Sequence, residues 1–282
     1  MAQRKPISNG VRAKPDVATL AGVAIALGGI LGGLVLEQGK LGDIAQFSAF
    51  LIVFGGTLGA TLVSTPLPLF RRAMKRLKII FFDSQEDPAT LIGEMIGYAT
   101  QARKRGLLSL EAETATIANP FFRKALTLAV DGTDVQEIRN MLELEIALDE
   151  HRAEAEAKVF EAAGGYSPTI GIIGAVLGLI QVMRHIQNID EVGNGIAIAF
   201  VATIYGVGLA NLLLLPAAAK IKIWAGHEAQ IRELVIEGVA AIAEGMNPKL
   251  IRLKLEAFGS AAPLKQATAA RTAGLAPVGE ME

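Results

Sequence analysis

Four stretches of the chain run without a single Asp, Glu, Lys or Arg, at 17–36, 44–68, 164–183 and 193–219, and Leu, Ile, Val, Ala and Gly dominate each of them. At about 1.5 Å rise per residue, a helix through any of these runs matches or exceeds the roughly 30 Å hydrocarbon thickness of a bilayer. Charge is confined to what lies between them. The pattern predicts an all-α membrane protein with four transmembrane helices, at 17–36, 44–68, 164–184 and 193–219. The first run is too long for the apolar part of a cleaved signal, and the second follows it too closely.

Between the second and third spans, residues 71–163 form a charge-rich region with helical periodicity. Leu91, Met95, Tyr98 and Ala102 recur on one face after Pro88. Asn119-Pro120 opens a second helix through Phe121, Ala125, Leu128 and Ala129, and Asp131-Gly132 stops it. A third helix, from about Asp134 to Phe160, carries Val135, Ile138, Met141, Leu142, Ile146 and Leu148 towards span three. After span four, residues 220–259 continue as helices, with Ile231, Leu234, Ile236 and Val239 at helical spacing, and 260–282 is Ala-, Thr- and Pro-rich and expected to be disordered. No strand signal is present. This helical region is expected to be cytoplasmic.

Orientation follows from the basic residues. Arg4, Lys5, Arg12 and Lys14 lie in 1–16, Arg71, Arg72, Lys75, Arg76 and Lys78 follow span two, and Lys220 and Lys222 follow span four, whereas the other two connections carry only Lys40 and Arg184. The excess of Lys and Arg puts the first three flanks in the cytoplasm, and with them both termini of a multi-pass membrane protein. The formal net charge of -1 gives no reason to expect nucleic acid.

Candidate chemistry is sparse. The absence of Cys excludes disulfides and thiol chemistry, and the three histidines, at 151, 185 and 227, lack ligand spacing and read as surface residues. No phosphate-binding loop is present, so nothing supports ATP-driven action, an enzyme, a metal site or a bound cofactor. Small residues form a flat face on span three at Gly171, Gly174, Ala175 and Gly178, and on span four at Ala199, Thr203, Gly206 and Ala210. Such faces let helix backbones approach closely in lipid, either against each other or around a space another helix fills. Homo-oligomerisation with spans three and four innermost is expected. Membrane proteins that move ions usually place an ionisable group within the hydrocarbon, and these spans place none. What they offer is the Thr203 hydroxyl, level with Ala175 at about 13–14 Å from the outer face by helical rise; a hydroxyl so placed commonly bonds its own backbone. Pro168 and Pro216 sit near the cytoplasmic ends of the same helices, where each removes a backbone hydrogen bond and allows a kink that is either a plain break or a coupling point.

Several segments resemble a known family. Ala102-Arg-Lys-Arg-Gly-Leu-Leu-Ser-Leu-Glu111, Leu128-Ala-Val-Asp-Gly132, Gly165-Tyr-Ser-Pro-Thr-Ile-Gly-Ile-Ile-Gly174, Phe200-Val-Ala-Thr-Ile-Tyr-Gly-Val-Gly208 and Glu237-Gly-Val-Ala-Ala-Ile-Ala-Glu-Gly-Met-Asn-Pro248 are similar, in order and spacing, to the MotA and PomA stator subunits of the bacterial flagellar motor, nearest to the MotC type. The resemblance covers about Val17 to Phe258. It implies five copies around two copies of a MotB-type single-span partner, whose membrane Asp supplies the missing carboxylate and whose periplasmic domain grips peptidoglycan, the ion flow being converted into torque. It places Thr203, Ala175 and Tyr205 along the ion pathway, and it makes Arg103, Lys104, Glu111 and Glu113 the contacts to the rotor protein FliG. Ala112 and Thr114 stand where sodium-type relatives carry Glu. Those relatives also present a second Thr where this chain has Ala175, so protons rather than sodium are the expected ion. The runner-up class, the ExbB and TolQ energisers of outer-membrane systems, has three spans with the large cytoplasmic segment after the first; here that segment follows the second.

Overall fold

The computed structural model describes residues 14–39, 41–83 and 87–257, nearly all of them helical. Helix α1 spans Val17–Leu36, and α2 spans Phe47–Ser64 with one π turn at Leu51–Gly55. Then come α3 at Leu67–Phe81, α4 at Pro88–Arg105, α5 at Pro120–Val130, α6 at Val135–Arg184, α7 at Ile189–Ala243 and α8 at 248–257. A two-residue antiparallel pairing of Lys14–Pro15 with Phe82–Asp83 is the one departure from an all-helical chain among the described residues. Among the described residues four helices are long and apolar enough to cross a membrane: α1, α2, α6 and α7. The segment 260–282 and most of 1–16 lie outside the described residues.

Local signals set the ends. Asp16 caps α1 by accepting from the Ala18 and Thr19 amides, Asp87 does the same for α4, and the Asn119 side chain accepts from Phe122 ahead of Pro120. At the close of α5 the Gly132 amide bonds the Ala129 carbonyl and Thr133 bonds Leu128, a pairing that needs the left-handed backbone Gly132 adopts at φ 81°. Gln38 takes the same role after α1 at φ 62° without glycine's freedom. Span two was expected to continue to residue 68, but Thr65 is extended at φ -129° and ψ 128°, the conformation a following proline favours, so α2 stops at Ser64 and α3 begins beyond Pro66.

The described residues fall into two compact units. The first comprises residues 14–83 and 151–225. In it α1 buries no residue, whereas Ala49 and Val53 of α2 pack with Val201 and Ala202 of α7. A second cluster joins Ala73 of α3 to Ala157, Val159 and Phe160 of α6 and to Ala217, Ala218 and Ile221 of α7.

The second unit comprises residues 87–150 and 226–257. Its core includes Leu91, Met95, Phe122, Leu126, Ile138, Leu142, Leu234, Val239 and Leu255. Residues Tyr98, Ala102 and Leu128 border this core, while Phe122 and Leu126 occupy its centre. On α6 the buried stripe is Ile138, Leu142 and Ile146; Met141 and Leu148, expected on the core face, are instead exposed, as is Leu144. The i, i+4, i+8 stripe meets the other helices and the neighbouring apolar stripe is left outside. Ion pairs rim the core: Arg139 chelates Glu237, Lys254 lies 2.6 Å from the same carboxylate, and Arg232 reaches Asp149 at 2.6 Å while stacking 5.2 Å above the Phe121 ring.

Candidate functional site

The small-residue faces of spans three and four meet each other. A β-carbon built on Gly171 falls 2.9 Å from the Ala202 carbonyl oxygen, and one on Gly178 falls 2.7 Å from the Gly195 oxygen and 2.8 Å from the Ala199 nitrogen. One on Gly206 would lie 2.7 Å from the Ser167 oxygen and 3.0 Å from the Gly171 Cα, and one on Gly174 2.7 Å from the Ala202 Cβ. Backbone therefore lies against backbone along the seam, a spacing that only hydrogen side chains allow. Ser167, fully buried, donates across the seam to the Gly206 carbonyl at 2.9 Å. Sequence reasoning passed over Ser167, although its position four residues before Gly171 continues the same face.

Thr203 and Ala175 are both half-buried, beside the seam and not within it. The Thr203 hydroxyl donates to the Ala199 carbonyl at 3.1 Å, one turn back on its own helix, and so retains its lone pairs as acceptors. Tyr205 is arranged differently: its hydroxyl donates to the Ile44 carbonyl ahead of α2, so its polar end is not shared with Thr203.

The two prolines also differ. The α6 helix continues through Pro168, whereas Pro216 comes two residues after the end of a π turn at Ala210–Leu214. A wide turn followed by a residue without an amide hydrogen makes the 210–216 stretch a point of helix irregularity, and Asn211 donates back to Val207 at 2.9 Å within it.

In the second unit, Arg103, Lys104 and Arg105 form the last turn of α4, where positive charge complements the helix dipole. Gly106, at φ 81°, turns the chain into the single helical turn Glu111–Thr114. Arg103, Lys104 and Glu111 are exposed; Glu113 is half-buried and accepts from Gln101 Nε2 at 2.8 Å, which ties the turn to α4. The two parts of the expected rotor contact thus sit on one side chain linkage.

Charged pairs frame the apolar helices of the first unit. Lys220 bonds Asp16 and Thr19, and this ammonium, with the Thr19 amide, holds the Asp16 carboxyl down at about 2. The buried Glu156 carboxylate lies 2.5 Å from Arg76 Nε, and Lys222 lies 2.7 Å from Glu161. Asp16 and Lys220 stand at opposite ends of the unit's sequence, and no local pattern pairs them. Among the described residues no cluster of His, Asp or Glu could hold a metal ion.

Comparison with known proteins agrees with this architecture. Residues 113–234 match the MotA/TolQ/ExbB proton channel family, and residues 20–106 match the motility protein A N-terminal domain. Motility protein A of Bacillus subtilis is 35% identical over 244 residues, covering 85% of this chain and 89% of its own length. Chemotaxis protein PomA of Vibrio alginolyticus is 33% identical over 236 residues, covering 84% and 92%. Among solved structures, C. jejuni MotAB aligns with a TM-score of 0.82 at 32% identity over 86% of this chain and 95% of that one, and the flagellar MotAB stator complex of Bacillus subtilis with 0.79 at 34% over the same shares. With 35% identity to motility protein A over 85% of the chain and family-model matches along both units, the chain belongs to the motility protein A family.

Proposed function

We propose that this chain is the ring-forming stator subunit of a bacterial flagellar motor: it surrounds a MotB-type partner, conducts protons, and turns the flow into torque on the rotor. The observation that carries the reading is the near full-length likeness to subunits of MotAB stator complexes, at 95% coverage of those chains. It favours this reading over an ExbB or TolQ energiser, as does the position of the large charge-rich segment after the second span.

Five copies around two partner helices form the assembly, in the inner membrane with both termini cytoplasmic. The exposed apolar stripe of Met141, Leu144 and Leu148 supports assembly, because such a stripe is covered in a ring of copies. The spans carry no ionisable side chain, so the carboxylate that binds the ion comes from the partner. Hard cations are held by several oxygen ligands at once, whereas a proton needs only a carboxylate and water. At the level of Thr203 this chain contributes one hydroxyl and, at Ala175, a methyl group, which favours protons. Arg103, Lys104, Glu111 and Glu113 meet FliG through complementary charge.

The test has two parts. The chain should co-purify with a single-span peptidoglycan-binding subunit and restore swimming to a strain lacking its own stator. Swimming speed across a sodium series at fixed pH should stay flat; loss of speed when sodium is withdrawn overturns the proton reading, and co-purification with an outer-membrane energising system overturns the motor reading.

A further inference from the structure

Within the first unit a crevice of about 810 Å³ opens between α1, α2, α3, α6 and α7. Its walls are almost wholly apolar. Gly22, Val23 and Ala26 supply the α1 side, and Phe54 and Leu58 the α2 side. A β-carbon built on Gly22 meets nothing within 4 Å, and α1 buries none of its residues, so this helix stands off from its neighbours along the crevice.

Volume decides among occupants. A transmembrane helix about 10 Å across and 30 Å long fills roughly 2,400 Å³, three times what is available, so the crevice cannot enclose a further span. Water is excluded for a different reason: a bound water needs about two to four polar partners. Away from Thr19 and Lys220 at one end, the wall offers the Thr57 hydroxyl, which is buried at 5% exposure and has no hydrogen-bond partner, while Thr61 is already bonded to the Thr57 carbonyl and the Asn211 amide to the Val207 carbonyl. The remaining volume lies in the range of about 300–1,000 Å³ typical of small-molecule sites.

Charge marks one end. Lys220 lies at the mouth, its ammonium bonded to Asp16 and Thr19. An ammonium has three donors, of which those two take a pair. Helix α3 turns Phe70, Met74 and Leu77 to the crevice while Arg71, Arg72 and Lys75 are exposed. This is the pattern of an interfacial helix, apolar below and basic above, and it attracts anionic headgroups.

We propose that the crevice is a binding site for an anionic phospholipid of the leaflet on the Lys220 side. One acyl chain lies between α1 and α2, and the phosphate rests on the basic face of α3 at Arg71, Arg72 and Lys75, while Lys220, whose charge Asp16 already balances, offers only its third donor. A turn of the Thr57 side chain about χ1 offers its hydroxyl to the lipid's ester carbonyl, which supplies the acceptor that the wall lacks. The lipid completes the packing of a helix that the chain itself leaves uncovered.

The experiment uses the intact purified complex in lipid nanodiscs containing phosphatidylglycerol with a photoactivatable diazirine in its acyl chain, and in parallel the same acyl chain on phosphatidylcholine. Labelling is expected at Val23, Leu58 and Met74, about fivefold stronger for phosphatidylglycerol, the factor set by one favourable Lys or Arg contact. The double variant Gly22→Leu with Ala26→Leu fills the crevice and should abolish that labelling. Thr57→Val keeps the shape, loses only the donor, and should lower it about threefold. Labelling confined to the outward residues Leu20 and Ile25, or unchanged in both variants, overturns the proposal. So does a disulfide between copies through Ala26→Cys, which would put a second copy in the crevice.

Discussion

Gly206→Ala tests whether the α6–α7 seam holds the membrane helices together. The added methyl carbon would sit 2.7 Å from the Ser167 carbonyl oxygen and 3.0 Å from the Gly171 Cα. Both obstacles are backbone, so no rotamer relieves them and the helices must part by about 0.5–1 Å, an overpacking strain of about 1–3 kcal/mol. Parting also stretches the 2.9 Å bond from Ser167 to the Gly206 carbonyl, which a typical membrane hydrogen bond values at about 0.6 kcal/mol. The sum is about 2–4 kcal/mol. Gly208→Ala on the same helix is the matched control, since its methyl meets nothing within 4 Å and its change in intrinsic helix propensity is the same. Reversible unfolding of the detergent-solubilised complex should place G206A about 2–4 kcal/mol below G208A, with swimming lost in step. Gly178→Ala should behave like G206A, and Gly165→Ala, also facing open space, like the control. Equal stability of G206A and G208A would refute the claim that backbone contact holds the seam.

Glu237→Gln should destabilise the second unit by about 1–2 kcal/mol near pH 7, discounted for partial solvent screening, because Arg139 first and Lys254 second hold this carboxyl at about 2. The folded value lies below the ordinary 4.5, so the contribution is fully present above 4.5 and fades as pH falls towards about 2; melting curves of the two proteins should converge over that window. Arg103→Glu and Glu111→Lys should each weaken rotor engagement by about tenfold, through like-charge contact in place of attraction, while membrane insertion stays unchanged; normal swimming in both, singly and combined, reduces the segment to a solvated surface.

The spans were legible because a bilayer imposes length and apolarity together, and nothing else in a chain of this composition produces four uncharged runs of that size. The caps at Asn119 and Gly132 were legible for an equally local reason: the signal and the bond it makes are within three or four residues. What sequence could not supply was the choice between alternatives of equal pattern. On α6, the stripe at 138, 142 and 146 and that at 141, 144 and 148 are both apolar at helical spacing, and only the position of the other helices buries the first. The π turns at Leu51–Gly55 and Ala210–Leu214 carry no residue signature, and the Asp16 pairing with Lys220 joins groups that share no local context.

The flat faces on spans three and four had two uses open to them, pairing with each other or lining a space for a third helix, and the seam contacts decide how these are divided. Gly171, Gly174 and Gly178 are consumed by α7 and by Ile52 of α2, so they are unavailable to any partner. Ala175 and Thr203 flank the seam and keep partial exposure. Because the Thr203 hydroxyl donates its O–H to the Ala199 carbonyl, it meets an incoming group as an acceptor. A protonated carboxyl is a donor and suits that lone pair; an ionised one is not and is repelled by it. On the proposed reading, in which a partner's carboxyl carries the proton at this level, Thr203 would favour that carboxyl's neutral state by accepting its O–H.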